Sequence, residues 1–283
     1  MARAPRLPLA GTTVVVTGAG SGIGRGLAQR LSSRGCSVAI ADADAAGLAD
    51  TEASLSGPAL ARPLDVRDRQ GMLTFAAQVA DWTAAQGRTI GAVVNNAGVT
   101  VSQPVAGAAV EDDEWVSAVN FGGVVNGTHA FLPLLQAQDS GTIANVSSVF
   151  GLFGFPYQSA YAASKHAVRG FTESLRHELR GTGVRAAVIH PGGIRTNIVR
   201  NARFHVDDTG STDHAAAAER FAAIARTTPE RAAQIIQDGL ERGDPRIRVG
   251  ADAVALDVLV RVAPVRYYGV LSGLEKLAAR AQR

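Results

Sequence analysis

The feature that most constrains this chain is a run of β-branched residues that feeds directly into glycines. Thr13-Val14-Val15-Val16-Thr17 reads as a buried strand, and Gly18-Ala19-Gly20-Ser21-Gly22-Ile23-Gly24 follows with no linker. A helical segment then opens at Gly22 and runs to residue 34. Strand, glycine turn and helix in this order aim backbone N–H groups at one point, where the helix dipole favours an anion. The spacing is T-G-x-x-x-G-x-G rather than the commoner G-x-G-x-x-G. Asp42 closes the next apolar run, residues 37–41, twenty residues after Gly22. An acid at that distance is placed to accept hydrogen bonds from the ribose hydroxyls of an adenosine. The glycines alone would also suit a tight turn of small residues. With the strand, the helix and Asp42 added, they point to a dinucleotide site.

The same alternation continues along the chain. Nearly unbroken apolar runs occur at 13–17, 37–41, 92–95, 141–147 and 184–190, with a weaker one at 60–64 that ends at Asp65. Longer stretches with helical spacing separate them, at 22–34, 67–86, 112–136 and 157–180. Strands that are apolar on both sides, alternating with helices, predict a parallel sheet covered on both faces. After His190 the pattern changes. Residues 197–228 are polar with no clear strand, and an irregular stretch late in a regular chain is a candidate substrate loop. Thr228 and Pro229 predict the cap and first position of a helix to residue 242. A short strand at 247–249 and helices at 251–262 and 267–280, separated by Pro264, complete the reading.

Composition excludes several functions. The formal charge is +3, from 28 basic and 25 acidic residues, and the basic residues are scattered, which argues against nucleic acid. The single cysteine, Cys36, excludes a disulfide framework within the chain and a multi-cysteine zinc site. Six histidines show no H-E-x-x-H and no compact cluster, so no catalytic metal is expected. No stretch reaches the roughly 18 apolar residues a membrane span needs. The apolar part of the first eleven residues is too short for a secretion signal, so a cytoplasmic location is expected.

Tyr161-Ala162-Ala163-Ser164-Lys165 sets a tyrosine and a lysine at i and i+4, one above the other on a helix. Lysine occurs only at 165 and 276 among the 28 basic residues, so its presence here carries weight. Ser148 lies thirteen residues before Tyr161, at the end of a predicted strand, where open α/β sheets bind ligands. Between them runs an apolar, glycine-punctuated segment, 149–156, with Phe150, Phe153 and Phe155. This segment suits the wall of a pocket for a hydrophobic molecule. Asp112, Asp113 and Glu114 read as acids at a helix start.

Taken together the pattern resembles the short-chain dehydrogenase/reductase family in its single-domain form of about 250 residues. The resemblance covers residues 11–196. It rests on Thr17–Gly24 taken with Asp42, Asp65, Asn95-Asn96-Ala97-Gly98, Asn120, Ser147-Ser148, Tyr161 with Lys165, and Pro191-Gly192. It implies a Rossmann-type doubly wound parallel sheet, α/β in class. Residues 1–283 would form one dinucleotide-binding domain, with 197–283 as substrate loop and C-terminal helices. It also implies a nicotinamide cofactor held by Gly18, Ser21, Gly22, Ile23, Gly24, Asp42, Asp65, Val66, Asn96, Ala97, Gly98, Pro191, Gly192, Ile194 and Thr196. Tyr161 would be the acid/base. Lys165 would bind the nicotinamide ribose and lower the Tyr161 pKa. Ser148 would hold the substrate oxygen, and Asn120 would anchor a water in a proton relay.

The physics of that constellation is consistent. A free tyrosine titrates at about pH 10, so a base working near neutrality needs a fall of roughly 2 to 3 pH units, about 3 to 4 kcal/mol. A cation about 4 Å away supplies on the order of 4 kcal/mol at an effective dielectric near 20. The expected cofactor is NAD, because Asp42 would repel a 2′-phosphate while Ser21 and Ala43 offer no compensating cation. Arg25 is expected to point to solvent from inside the first helix. The expected activity is NAD-dependent interconversion of a hydrophobic secondary alcohol and ketone. A catalytically silent dinucleotide-sensing regulator of the same fold is the alternative. A lipid-surface protein is disfavoured because Asp257 and Arg261 interrupt the apolar C-terminal run. A homo-oligomer is expected, a dimer or tetramer pairing through helices near 112–136 and 157–180 and again near the C-terminus.

Overall fold

A computed structural model describes residues 6–273. The first half carries β1 (Thr13–Thr17), α1 (Gly22–Ser33), β2 (Ser37–Asp42), α2 (Ala45–Ala53), β3 (Ala59–Pro63), α3 (Arg69–Ala85) and β4 (Ile90–Asn95). Next come β5 (Val101–Ser102), α4 (Val110–Ser117), a π turn (Ala118–Gly122), α5 (Gly123–Ala137), β6 (Gly141–Val146) and α6 (Ser159–Glu178). The chain continues through β7 (Val184–Pro191), β8 (Arg203–Phe204), α7 (His214–Ile224), α8 (Pro229–Arg242), β9 (Arg246–Val249) and α9 (Ala251–Val262). Residues 267–273 are also helical. The rest of the helix expected over 267–280, with Lys276, lies outside the described residues.

Seven strands form one sheet in the order β3-β2-β1-β4-β6-β7-β9. Every neighbouring pair is parallel. The alternation of side chains along each strand divides the core in two. Val14 and Val16 face Leu27 and Leu31 of α1, Leu48 of α2, and Ile236 and Leu240 of α8. Val15 and Val93 face Phe75 of α3, Phe131 and Leu135 of α5, and Leu175 of α6. Phe75 and Phe131 meet edge to face, with centroids 5.9 Å apart. Both rings are fully buried, and a side chain of this kind contributes on the order of 1.5–3 kcal/mol when removed from water.

The strand order reverses between β1 and β4, because β2 and β3 lie on one side of β1 and β4, β6, β7 and β9 lie on the other, while β5 and β8 form a separate two-stranded sheet. That reversal opens a crevice at the strands' C-terminal ends. The glycine turn after β1 and residues 95–98 after β4 meet there.

Four local expectations change. The helix expected over 112–136 is two helices, α4 and α5, joined by the π turn, which inserts an extra residue into the helical path. The helix expected from 157 starts at Ser159, because Tyr157 adopts a left-handed φ of 62°. The polar stretch 197–228 contains β8, which pairs in parallel with β5, and α7. α2 went unassigned in the sequence and is started by Asp44, whose side chain accepts from Gly47 N–H. The Thr228 cap holds as expected, accepting from Arg231 N–H with Pro229 at the first position. Among the described residues, no helix is long and apolar enough to cross a membrane. The same residues contain no cluster of three His, Cys, Asp or Glu that could hold a metal.

Candidate active site

The glycine turn is shaped by contacts no side chain could share. A Cβ on Gly24 would sit 2.1 Å from the carbonyl oxygen of Gly18. A Cβ on Gly18, where φ is +65°, would lie 2.6 Å from the Cα of Ala97. The turn is thereby closed against the end of β4. Asn96 locks it there: its Nδ2 donates to Thr17 O at 2.9 Å and Gly18 O at 3.1 Å. Thr17 Oγ1 in return accepts the N–H groups of Asn96 and Ala97. Ser21 makes no side-chain cap bond, and α1 has no acid in its first turn. The start of α1, at Gly22, Ile23 and Gly24, therefore carries no side-chain cap and no acidic group to balance its dipole.

Asp42, at the end of β2, stands beside this turn. One carboxylate oxygen accepts Gly20 N–H at 2.7 Å and the other accepts Asp44 N–H at 2.9 Å. Arg25 does not point to solvent. Its Nη2 donates to Gly20 O at 2.5 Å and Gly47 O at 3.1 Å, and its Nε donates to Thr51 Oγ1 at 2.9 Å. The guanidinium thus pins the glycine turn to α2, whose existence the sequence reading had missed. At the next strand end, Arg67 hydrogen-bonds both Asp65 oxygens through Nε, at 3.0 and 2.9 Å, and one through Nη2 at 2.6 Å. These bonds hold the Asp65 carboxyl below its ordinary range. Arg67 is a neighbour the sequence reading did not single out. Val66 is buried, and a Cβ on Gly123 would strike its Cγ2 at 2.5 Å.

On the far side of the crevice, Pro191 ends β7 and the chain turns through Gly192 and Gly193. Asp252 anchors this turn by accepting Gly193 N–H at 2.6 Å. Ile194 is buried and bridges to Thr227. Thr196 reaches back to the glycine turn, so that a Cβ on Gly22 would meet its Cγ2 at 3.1 Å.

Ser148, Tyr161, Lys165 and Asn120 converge between these walls. Ser148 follows β6 and caps a short 3₁₀ turn, Val149–Gly151, by accepting Phe150 N–H. Its side chain lies near enough to the Tyr161 hydroxyl to pull the tyrosine's pKa down. Tyr161 and Lys165 stack on the inner face of α6, 9% and 2% exposed, with Lys165 Nζ 5.6 Å from the Tyr161 ring centre. Lys165 Nζ donates to Val146 O at 3.0 Å. Asn120 is carried by the π turn. Its amide exchanges bonds with Val99, Oδ1 accepting at 2.8 Å and Nδ2 donating at 3.0 Å, and Nδ2 also donates to Ser164 Oγ. A Cβ on Gly98 would lie 3.2 Å from both Asn120 Oδ1 and Lys165 Nζ. Both polar groups therefore border the space that a side chain at position 98 would enter.

The electrostatics depart from one expectation. Burial lowers Lys165 to about 8. Burial holds Tyr161 above its ordinary value, opposed by the Ser148 side chain, and the Lys165 cation does not outweigh burial. Desolvation of a phenolate outweighs a cation whose nearest hydrogen-bond partner is a backbone carbonyl.

The wall beside Tyr161 is apolar and tied down. Phe150 meets Tyr161 edge to face at 6.0 Å and stacks on Phe155 at 5.5 Å. Leu256 and Val260 of α9, with Tyr267 and Leu271, pack against this group. The 203–205 segment is fastened to α4, where Asp112 accepts from Arg203 Nη1 and pairs with His205 Nε2, both at 2.6 Å. Arg203 also lies over the Trp115 ring at 3.9 Å. Asp112 thus does more than charge a helix start. Its hydrogen bond to His205, then its bond to Arg203, keeps its carboxyl below the ordinary value.

An α/β sheet with a glycine turn at its switch point and a buried Ser-Tyr-Lys-Asn group defines a class that the comparisons resolve to one family. The family model described as short chain dehydrogenase matches residues 12–206, and the chain belongs to the short chain dehydrogenase family of oxidoreductases. It is 42% identical to a putative oxidoreductase, SadH, of Mycobacterium tuberculosis, over 91% of this chain and 92% of that one. The fold matches a short chain dehydrogenase/reductase from Burkholderia phymatum in complex with NAD, with a TM-score of 0.81 and 26% identity, over 91% of this chain and 95% of that one. It also matches the closed form of a serine dehydrogenase complexed with NADP+, with a TM-score of 0.73 and 28% identity, over 84% and 94%.

Proposed function

We propose that this protein is an NAD-dependent oxidoreductase that interconverts a hydrophobic secondary alcohol and its ketone, with Tyr161 as the acid/base. The observation that carries this reading is the burial of Ser148, Tyr161, Lys165 and Asn120 together beside the glycine turn. When bound, a nicotinamide dinucleotide supplies the hydride acceptor or donor. The chain fits such a group: the start of α1 has no side-chain cap, the Gly18 and Gly24 positions exclude a Cβ, and Asp42 flanks the turn. In this reading Gly18–Gly24 hold the pyrophosphate and Asp42 the adenosine ribose. Asp65 and Val66 face the adenine. Asn96, Ala97 and Gly98 line the cofactor path, Lys165 and Tyr161 hold the second ribose, and Pro191, Gly192, Ile194 and Thr196 contact the carboxamide.

Ser148 Oγ donates to the substrate oxygen, and Tyr161 Oη takes its proton during oxidation and returns it during reduction. Lys165 keeps a positive charge below about pH 8. That charge, with the charge of an oxidised nicotinamide ring, opposes the effect of burial on Tyr161. Asn120 fixes the backbone at Val99 and presents a polar edge for a proton-carrying water. The phenylalanine group beside Tyr161 favours an apolar substrate. A spectrophotometric screen of NAD⁺ and NADP⁺ against hydrophobic secondary alcohols tests the activity.

Asp42 carries a sharper expectation. Its carboxylate attracts ribose hydroxyls and repels a 2′-phosphate. Arg25 is engaged by Gly20, Gly47 and Thr51, so it is not free to offset that repulsion. NAD should be preferred over NADP by at least about tenfold in kcat/KM, roughly 1.4 kcal/mol. The double variant Asp42→Ala, Ala43→Arg should narrow or reverse the ratio. Equal use of both cofactors by the unmodified protein would refute the assignment to NAD. The protein is also proposed to be a symmetric dimer or tetramer, and a monomer mass by light scattering at micromolar concentration would refute that.

A further inference from the structure

His190 is a buried group that the reaction scheme above does not use. It lies near the end of β7 with no solvent exposure. Strand alternation sets its side chain on the same sheet face as Val184 and Ala186, the face that packs α6. Its Nδ1 is 2.9 Å from the carbonyl oxygen of Ser148. A carbonyl only accepts, so Nδ1 carries the proton. In a neutral ring Nε2 is then an acceptor, and it is buried with no hydrogen-bond partner among the described residues. Burying an unpaired acceptor is unfavourable. An aliphatic side chain would fill this strand position without that penalty, so the Nδ1 bond is what the imidazole adds.

The position of that bond explains its use. The β6–β7 ladder ends with Ser147 N–H donating to Ile189 O at 2.8 Å. Ser148 is the next residue and lies beyond the ladder. Its carbonyl also accepts Gly151 N–H at 3.0 Å, but Gly151 belongs to the same 3₁₀ turn and moves with it. His190 comes from the sheet. It is a tie from the rigid core to the peptide that carries the Ser148 hydroxyl.

We propose that His190 is a positioning residue, holding Ser148 so that its hydroxyl meets both Tyr161 and the substrate oxygen. The proposal rests on the roles given to Ser148 and Tyr161 above. The charged groups around the ring are Arg169 of α6, Arg246 of β9 and Asp257 of α9. Arg246 is itself paired with Glu173 at 2.5 Å and Asp257 at 3.3 Å. Burial lowers His190 to about 4, opposed by the bond to Ser148 O and by Asp257 and aided by the two arginines, so the ring stays neutral through the working range. It therefore serves as a fixed donor and takes no part in proton transfer.

Two measurements on the full chain test this. In the unmodified protein, ¹⁵N-histidine NMR should show the His190 imidazole, assigned by the loss of its signal in His190→Asn and so told apart from His166, whose Nδ1 also faces a carbonyl, protonated on Nδ1 and neutral from about pH 5.5 to about pH 8.5. A His190 ring protonated on Nε2, or titrating at about pH 6.5, overturns the proposal. The second compares His190→Leu, which removes the donor, with His190→Asn, whose Nδ2–H can replace Nδ1–H. With the best alcohol from the screen, His190→Leu should lower kcat roughly 10- to 100-fold. KM and the cofactor dissociation constant should stay within about twofold. The rise of the oxidation rate with pH should move to higher pH, because Ser148, no longer held in place, lowers the Tyr161 pKa less. His190→Asn should recover kcat to within about threefold. Unchanged kcat and pH profile in His190→Leu, or equal losses in both variants, overturns the proposal. Should His190→Leu fail to fold, the NMR result and His190→Asn decide. Wild-type turnover in Tyr161→Phe and Ser148→Ala would sink the catalytic reading and this proposal with it. Wild-type turnover in His190→Leu beside an inactive Tyr161→Phe sinks this proposal alone.

Discussion

Replacing Tyr161 with Phe is expected to cut turnover by roughly 10²–10⁴-fold, about 3–5 kcal/mol of transition-state stabilisation, while cofactor affinity persists. The change removes one hydroxyl and keeps the ring that packs edge to face on Phe150. The hydrophobic packing of the α6 face is therefore retained, and a stable fold is expected. Ser148 still caps its own turn by accepting Phe150 N–H. Steady-state rates together with a cofactor titration read the two effects separately. Near-normal turnover in a folded Tyr161→Phe protein would remove the acid/base role.

Lys165→Met is expected to be nearly as damaging, with a different signature. Methionine fills much of the same space, so what is lost is the charge and the bond to Val146 O. Burial already biases Tyr161 toward its neutral form. Without a cation near the ring, the phenolate becomes harder still to form. Activity at neutral pH should vanish, and any residual oxidation should appear only at higher pH than in the unmodified protein. Cofactor binding should weaken because a ribose contact is lost. Lys165 is itself lowered to about 8. Its charge is therefore present at neutral pH and fades as the pH rises through that value. The contrast between the two proteins should thus be greatest near pH 7 and shrink above about 8. An unchanged pH–rate profile with full cofactor affinity would show that Lys165 serves only the packing of α6.

The central strands were legible because parallel strands covered on both faces leave unbroken apolar runs, such as Val14-Val15-Val16 and Ala92-Val93-Val94. Ser148, Tyr161 and Lys165 were legible because they sit at a strand end or at i and i+4 on a helix face, whereas Asn120, on the π turn, came only from the family resemblance. What escaped the sequence depends on long-range partners. α2 is short and Ala-rich, and Leu48 is its one large buried apolar side chain, so it leaves little periodic signal. The trace it does leave is Asp44, three residues ahead of the Gly47 N–H that it caps. Missing α2 also misplaced Arg25, since Gly47 O and Thr51 Oγ1 belong to that helix. β8 is two residues long and pairs with residues about a hundred positions earlier, and local propensity carries no signal for that. The π turn that aims Asn120 inward shifts the helical register by one residue, which a periodicity reading over 112–136 averages away. The Tyr161 pKa could not be read at all. It depends on how completely α6 buries the hydroxyl, a property of the packed fold.

The central claim is that buried Tyr161 and Lys165 serve NAD-linked oxidation of an apolar secondary alcohol. The most direct measurement is the initial rate of cofactor reduction by purified protein with NAD⁺ and a panel of hydrophobic secondary alcohols, run beside Tyr161→Phe. The account predicts turnover with at least one alcohol in the unmodified protein, faster with NAD⁺ than with NADP⁺, and its loss in the variant. Tight NAD binding with no turnover across the panel, in either direction, would contradict it and leave a dinucleotide-sensing protein in its place.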